Sequence, residues 1–136
     1  MRSLRNRLLA LIPLTALLAA AADEKKPEPQ YEMRVYVLGL LKRGPNAGKG
    51  DKAEQDRFQE GHMANIRKMA AAGKLIVAGP MGDNGELRGI FIFDAKSVEE
   101  VKAMAEEDPS IQAGRLILEL HPWYAAAGLR VNGPKP

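Results

Sequence analysis

The stretch between residues 58 and 80 constrains the fold most, because helical periodicity gives way there to a strand. Five residues recur at intervals of three or four positions: Phe58, His62, Ile66, Met69 and Gly73. At 3.6 residues per turn they share one stripe roughly 80° wide, which predicts an amphipathic helix. The apolar run from Leu75 to Ala78 then predicts a strand that ends at Gly79-Pro80. A histidine therefore lies in the middle of the predicted core-facing stripe.

The first 22 residues have the three parts of a secretory signal peptide. Three arginines precede an apolar run over residues 8–18, and three alanines follow at residues 20–22. The run is shorter than the ~20 apolar residues that span a bilayer. We therefore expect cleavage before Asp23 and export, to the periplasm or outside the cell, with no membrane attachment afterwards. An uncleaved membrane anchor is the alternative. Residues 23–30, charged and proline-bearing, are expected to be a linker.

Charge and cysteine content exclude several classes of function. Three of the 20 Lys and Arg residues lie in the leader, so the mature part carries 17 of them against 17 Asp and Glu. A balanced charge gives no argument for nucleic-acid binding, and none is expected. The chain has no cysteine, which excludes thiolate metal ligands, a cysteine nucleophile and thiol redox chemistry.

The order of elements in the mature chain predicts a ferredoxin-like α+β fold over residues 31–124. The predicted sequence is strand 31–41, helix 52–72, strand 75–78, strand 87–94, a second helix from the Ser97 capping box to Asp108-Pro109, and strand 116–123. Right-handed crossovers place both helices on one face of a four-stranded antiparallel sheet. Pro122 is expected to stop the last strand, and residues 125–136 to form a flexible tail.

The strands carry apolar residues on both faces. Val35 and Val37 alternate with Leu38 and Leu40, and the strand after residue 87 repeats the pattern. A sheet with one face in water would not tolerate this. A second copy that covers the open face is the economical answer, so a homodimer is expected.

Two motifs in the chain are weak. The loop from Gly44 to Gly50 lies where a phosphate-binding loop would, but its spacing is one residue short and a glycine replaces the magnesium-binding hydroxyl. Glu119 and His121 could share a strand face as metal ligands, yet two ligands without a third are more often a surface pair. We therefore expect no metal and no cofactor.

His62 has two interpretations. A lone histidine on an apolar stripe is most often a core-edge residue with a backbone or side-chain partner. Alternatively it is a general acid/base, because imidazole takes and gives protons near neutral pH. Asp108 is a plausible neighbour, since it follows the second helix on the same side of the sheet. Its alternative role is an Asp-Pro turn that ends that helix.

From residue 43 to 128 the chain resembles the YciI-like (YCII-related) family of small ferredoxin-like proteins. The residues that carry the resemblance are Arg43-Gly44-Pro45, His62, Gly73-Lys74-Leu75, Gly79-Pro80, Leu87-Arg88-Gly89, Asp108-Pro109, Ala113-Gly114-Arg115 and His121-Pro122-Trp123-Tyr124. The resemblance implies a dimeric α+β barrel and an active site built on a His-Asp pair, here His62 and Asp108. Some members act as lyases on hydroxylated aromatic rings, and the fold resembles muconolactone isomerase. Two departures are the export signal and Ser110, where many members have a bulkier residue.

Together these features predict an exported enzyme that isomerises or eliminates from a small cyclic or aromatic compound without a cofactor. His62 is the expected acid/base, and Asp108 orients it. The residues expected to bind the substrate are Arg43, Asn65, Gly79, Pro80, Ser110 and Trp123. The alternative is a dimer of the same fold that binds a small ligand or a protein without catalysis.

Overall fold

The computed structural model describes residues 30–131. The predicted leader, nearly all of the predicted linker and residues 132–136 lie outside this range. Within it, no helix is long and apolar enough to cross a membrane.

Four antiparallel strands form one sheet in the order β2-β3-β1-β4. The strands are β1 (Met33–Arg43), β2 (Leu75–Pro80), β3 (Leu87–Phe93) and β4 (Leu116–Ala126), and the longer helices are α1 (Lys52–Ala71) and α2 (Val98–Ala105). This order and connectivity are those of a ferredoxin-like α+β fold, so the predicted fold class is confirmed.

Both ends of α1 follow from local sequence. The Asp51 side chain accepts a hydrogen bond from the Glu54 amide at 2.8 Å and caps the first turn. At the other end Gly73 has φ +70°, and its amide and that of Lys74 bond back to the carbonyls of Ala70 and Met69. This is a Schellman motif, and its left-handed position favours glycine. The predicted stop at Gly73 is therefore explained by backbone conformation.

The sequence suggested that Asp108-Pro109 ends the second helix, but it does not. The helix α2 already ends at Ala105, and a further short helix, α3 (Pro109–Gln112), begins at the proline. Asp108 is extended at φ −71°, ψ 120° and caps α3 through the Ser110 amide at 2.8 Å. Proline fits the first helical position because its missing N–H would have no partner there.

The last strand also runs further than expected. Pro122 pairs with Val37, and β4 continues to Ala126, so the predicted tail begins inside the sheet. Proline is tolerated because β4 is an edge strand, whose outward positions need no amide. The Ala127 amide then donates to the Glu32 carbonyl at 2.7 Å, which holds the chain against β1 beyond the strand.

The core lies between the sheet and the two longer helices. Its buried members are Val37, Leu41, Met69, Leu75, Phe91, Phe93, Ala95 and Val101. Because Met69 of α1 and Val101 of α2 belong to this one cluster, both helices pack on the same face of the sheet. The opposite face carries Leu38 and Leu40 of β1, which remain half-buried in the single chain.

Candidate active site

His62 lies on the sheet-facing side of α1 and touches a carboxylate. Its Nδ1 is 2.5 Å from Oδ2 of Asp108, and its side chain is 12% exposed. The ring lies nearly parallel to that of Phe91, with an interplanar angle of 18° and centroids 6.2 Å apart. The imidazole is therefore fixed by a hydrogen bond at one nitrogen and by an aromatic ring of β3 beside it.

Backbone groups fix Asp108 on the side away from His62. Its side chain is fully buried, and its Oδ1 accepts a hydrogen bond from the Ser110 amide at 2.8 Å. Its own amide donates to the Ala105 carbonyl at 3.0 Å. Since both carboxylate oxygens have partners within the protein, Asp108 can act on a ligand only through His62.

The second ring nitrogen of His62 is the one that a ligand can reach. Nε2 has no hydrogen-bond partner among residues 30–131, and because no fully buried side-chain nitrogen or oxygen in that range lacks one, Nε2 keeps some exposed surface. An ionised carboxylate only accepts hydrogen bonds, so an ionised Asp108 places the ring proton on Nδ1. Nε2 then carries the lone pair that a general base requires.

A close approach between α1 and α3 brings the pair together. Gly61 precedes His62, and a Cβ at Gly61 would lie 2.4 Å from Cγ of Pro109. Ser110 adds a second tie, since its hydroxyl donates to the Phe58 carbonyl at 3.1 Å. Glycine inside a helix disfavours it by about 1 kcal/mol relative to alanine. Here it makes the space in which Pro109 positions Asp108.

A pocket of about 300 Å³ opens beside His62, between α1 and one end of the sheet. It is lined by Leu41, Gln59, His62, Met63, Ile66, Ala78, Gly79, Pro80, Arg88, Gly89, Phe91 and Leu116. This volume is at the lower end of the range for small-molecule sites. A mostly apolar wall with a few polar groups is typical of such sites, and here it would enclose one ring.

Of the six residues expected to bind substrate, Gly79 and Pro80 line this pocket. The other four do not. Arg43 donates to the Asn84 side chain at 3.2 Å outside the lining, and the buried Asn65 amide points to the Met104 carbonyl of α2 at 3.4 Å. Asn65 is three positions after His62, which turns it towards the neighbouring helix.

The remaining two, Ser110 and Trp123, also lie outside the lining of this pocket. Ser110 is buried and bonded to the Phe58 carbonyl, so it ties α3 to α1 rather than facing the pocket. Trp123 lies on the other face of the sheet, where its ring is 6.2 Å from that of Tyr36. The strand alternation explains this, because Trp123 is directly opposite Tyr36 in the β1–β4 register.

Sequence reasoning missed three lining residues whose side chains contain a nitrogen, oxygen or sulfur atom: Gln59, Met63 and Arg88. Gln59 lies three positions before His62, where a helical wheel places it beside the histidine, whereas Met63 is the next residue and is about 100° away around the helix. Arg88 could have been found through the resemblance, which included Leu87-Arg88-Gly89, but no role was assigned to it.

The other histidine also contacts a carboxylate. His121 Nε2 is 2.7 Å from Glu119 Oε1 on the open face of the sheet, and Lys42 bonds the same carboxylate. The Lys42 hydrogen bond, followed by that of His121, lowers the pKa of Glu119. Within residues 30–131 no group of three or more His, Asp or Glu is placed to hold a metal ion.

The geometry defines a class, a ferredoxin-like α+β domain in which a histidine beside a small apolar pocket contacts a buried aspartate. The chain belongs to the YCII-related domain family, whose pattern matches residues 35–124. Among solved structures it is similar to the 5-chloro-2-hydroxyhydroquinone dehydrochlorinase of Burkholderia phenoliruptrix in complex with 2,5-dihydroxybenzoquinone. The two are 24% identical, with a TM-score of 0.49 over 65% of this chain and 92% of that one. No curated protein matches this chain significantly.

Proposed function

We propose that this protein is an enzyme that moves a proton on a small cyclic or aromatic compound, with His62 as the general acid/base and Asp108 as its positioning residue. One observation about the His62 ring carries the proposal. Its Nδ1 contacts a buried carboxylate, while its Nε2 has no protein partner among residues 30–131 and the ring lines a pocket of about 300 Å³. A histidine with a packing role only would need neither.

In the proposed reaction Nε2 removes a proton from a carbon of the bound ring. The electron pair left behind either shifts a double bond, and the proton returns elsewhere, or expels a leaving group. These outcomes are isomerisation and elimination. Asp108 stabilises the imidazolium that forms between the two steps, because its charge lies against Nδ1. The chain's own residues supply every proton transfer in this scheme.

Deuterium incorporation tests this proposal without knowledge of the natural substrate. Cyclic enones and unsaturated lactones are incubated with the protein in D2O, and exchange at carbon is followed by NMR. We expect exchange that His62→Gln lowers roughly 100-fold or more. His121→Gln is the matched control, because it removes the chain's other histidine far from the pocket, and it should exchange at the unaltered rate.

Two results would contradict the enzyme proposal. Equal exchange by His62→Gln and the unaltered protein would show that His62 is not the base. Exchange with none of the compounds, combined with binding of some of them, would favour the alternative of a non-catalytic ligand-binding protein.

We also propose that the protein is an exported homodimer. The apolar open face, with Leu38, Leu40, Ile90 and Ile92 half-buried in the single chain, supports a second copy as its cover. The signal-like leader supports export. The N-terminal residue of the purified exported protein tests the latter: Asp23 supports cleavage, and Met1 contradicts it.

A further inference from the structure

The charge of the pocket lining is one-sided. Among its twelve residues Arg88 alone carries a permanent charge, and no Asp or Glu lines the pocket. The remaining polar groups are Gln59 and the His62 ring, and the rest of the wall is apolar. A pocket of this composition attracts a ligand that is mainly apolar and carries a negative charge at one end.

Arg88 has no carboxylate partner in the part of the chain that the structure describes. Its Nη1 donates to the Asn84 side-chain oxygen at 3.2 Å and to the Gly85 and Asp83 carbonyls at 3.4 and 3.5 Å. No carboxylate within residues 30–131 lies within ion-pair distance of it. Its Nε and Nη2 have no partner in that range and form one edge of the guanidinium, which matches a carboxylate with two parallel hydrogen bonds.

A second arginine lies beside it. Arg43 donates to the same Asn84 oxygen, also at 3.2 Å, so two guanidinium groups share one neutral acceptor. Two other arginines of the chain are paired, Arg34 with Asp94 and Arg115 with Glu54. Two positive charges, from the end of β1 and the start of β3, thus meet at Asn84 in the turn between β2 and β3, and a bound anion would relieve their repulsion.

We propose that the pocket takes a small ring compound that carries a carboxylate, and that Arg88 is the residue that binds this carboxylate. This inference rests on the proposed function for the role of His62 at the other end of the ligand. Arg43 adds a positive charge beside Asn84 but does not line the pocket.

The negative charge of Asp108 does not cancel this preference. Asp108 is buried behind the His62 ring, and both of its oxygens are already hydrogen-bonded. Asp83 and Glu86 lie exposed in the same turn as Arg88, outside ion-pair distance, where solvent screens them. Within the described lining, Arg88 is therefore the residue whose permanent charge an anion would meet.

The test compares benzoate with benzamide, which has nearly the same shape and no charge. Each is titrated into the purified protein, and binding is followed by NMR at the His62 ring and at the Gly89 amide. We expect benzoate to bind roughly tenfold tighter than benzamide, as a hydrogen bond to a charged group implies for a half-exposed site. Arg88→Gln should abolish the difference, and Arg88→Lys should retain part of it.

Arg57→Gln is the matched control, because Arg57 is an exposed arginine of α1 outside the pocket lining, and the preference should survive there unchanged. Equal binding of the two ligands, a preference that survives Arg88→Gln, or no perturbation by either ligand would each overturn the inference. These are binding measurements, so their failure is separable from that of the proposed acid/base role, which the exchange assay with His62→Gln decides.

Discussion

The two histidines of this chain both contact a carboxylate, on opposite sides of one sheet, and their surroundings differ. His62 and Asp108 have side chains that are 12% and 1% exposed, and a pocket lies beside the ring. His121 and Glu119 are 49% and 42% exposed on the open face of the sheet. The same pair of groups is thus withdrawn from water in one place and solvated in the other.

The partners of each carboxylate explain what the difference means. Asp108 is fixed by the backbone amide of Ser110, so its remaining oxygen is committed to His62. Glu119 divides its bonds between Lys42 and His121, two partly exposed side chains, and these bonds lower its pKa. A histidine-carboxylate contact becomes a candidate acid/base only where the carboxylate is held rigidly and the other ring nitrogen faces a cavity.

The largest expected effect tests whether the open face is covered by a second copy. Leu38 lies on this face opposite His121 and Ile92 of the neighbouring strands. Leu38→Glu would bury a charge at the proposed interface, at a penalty of roughly 3 kcal/mol or more, which weakens the dimer more than a hundredfold. Sedimentation measures the change, with Ala70→Glu on the exposed side of α1 as the control.

Either of two results would contradict the proposed interface: an unaltered protein that sediments as a monomer, or a Leu38→Glu dimer of unchanged affinity. In the second case the protein associates through another surface, and the Lys42–Glu119–His121 group remains in water.

Neutralising Asp108 and Glu119 in turn compares the two carboxylates, and the expected effect is smaller. Asp108→Asn removes the charge that selects the Nδ1–H form of His62, so the tautomer population should change and exchange should slow roughly tenfold to a hundredfold, less than on loss of the base itself. Long-range 1H–15N correlation spectra measure the tautomer. Glu119→Gln is the matched control, and it should leave both His62 and the exchange rate unchanged.

If Asp108→Asn left the tautomer and the rate as they were, Asp108 would be a helix cap only. The contact with His62 would then have no bearing on chemistry, and the two sides of the sheet would differ in burial alone.

The fold could be read from the sequence because each of its main elements has a local signal. The periodicity of α1, the Ser97 cap of α2 and the glycine stop at residue 73 are properties of short segments. The short helix α3 was missed because four residues show no periodicity, and an Asp-Pro pair can either end a helix or begin one. Here it begins one.

The site was only partly predictable, since its lining depends on contacts between distant segments. The stripe identified His62, the predicted topology offered Asp108 as its neighbour, and the family resemblance implied the pair. The contact of Asn65 with α2 depends on how α1 is rotated on the sheet, and the pocket position of Arg88 depends on how β3 meets that helix. No local pattern reports that rotation. Gly61 is the missed signal, because a glycine in a strong helix indicates a close neighbour.

For Gly61→Ala, helix propensity and packing predict opposite effects on stability. Helix propensity alone predicts a gain of about 1 kcal/mol in the free energy of unfolding. The new Cβ, however, would lie 2.4 Å from Cγ of Pro109, whose ring cannot rotate away, so α1 and α3 must separate. We expect a net loss of about 1–3 kcal/mol, as for overpacking elsewhere, together with a weaker Nδ1–H preference at His62.

Urea unfolding and the 1H–15N spectra measure the two parts of this prediction. Gly82→Ala is the control, because nothing lies within 4 Å of its added Cβ and its backbone is not left-handed. A Gly61→Ala protein that is more stable and in which His62 keeps its tautomer would mean that α3 moves away from the new Cβ at little energetic cost. The pairing of His62 with Asp108 would then depend on the capping bond at Ser110 and not on the close approach of Pro109.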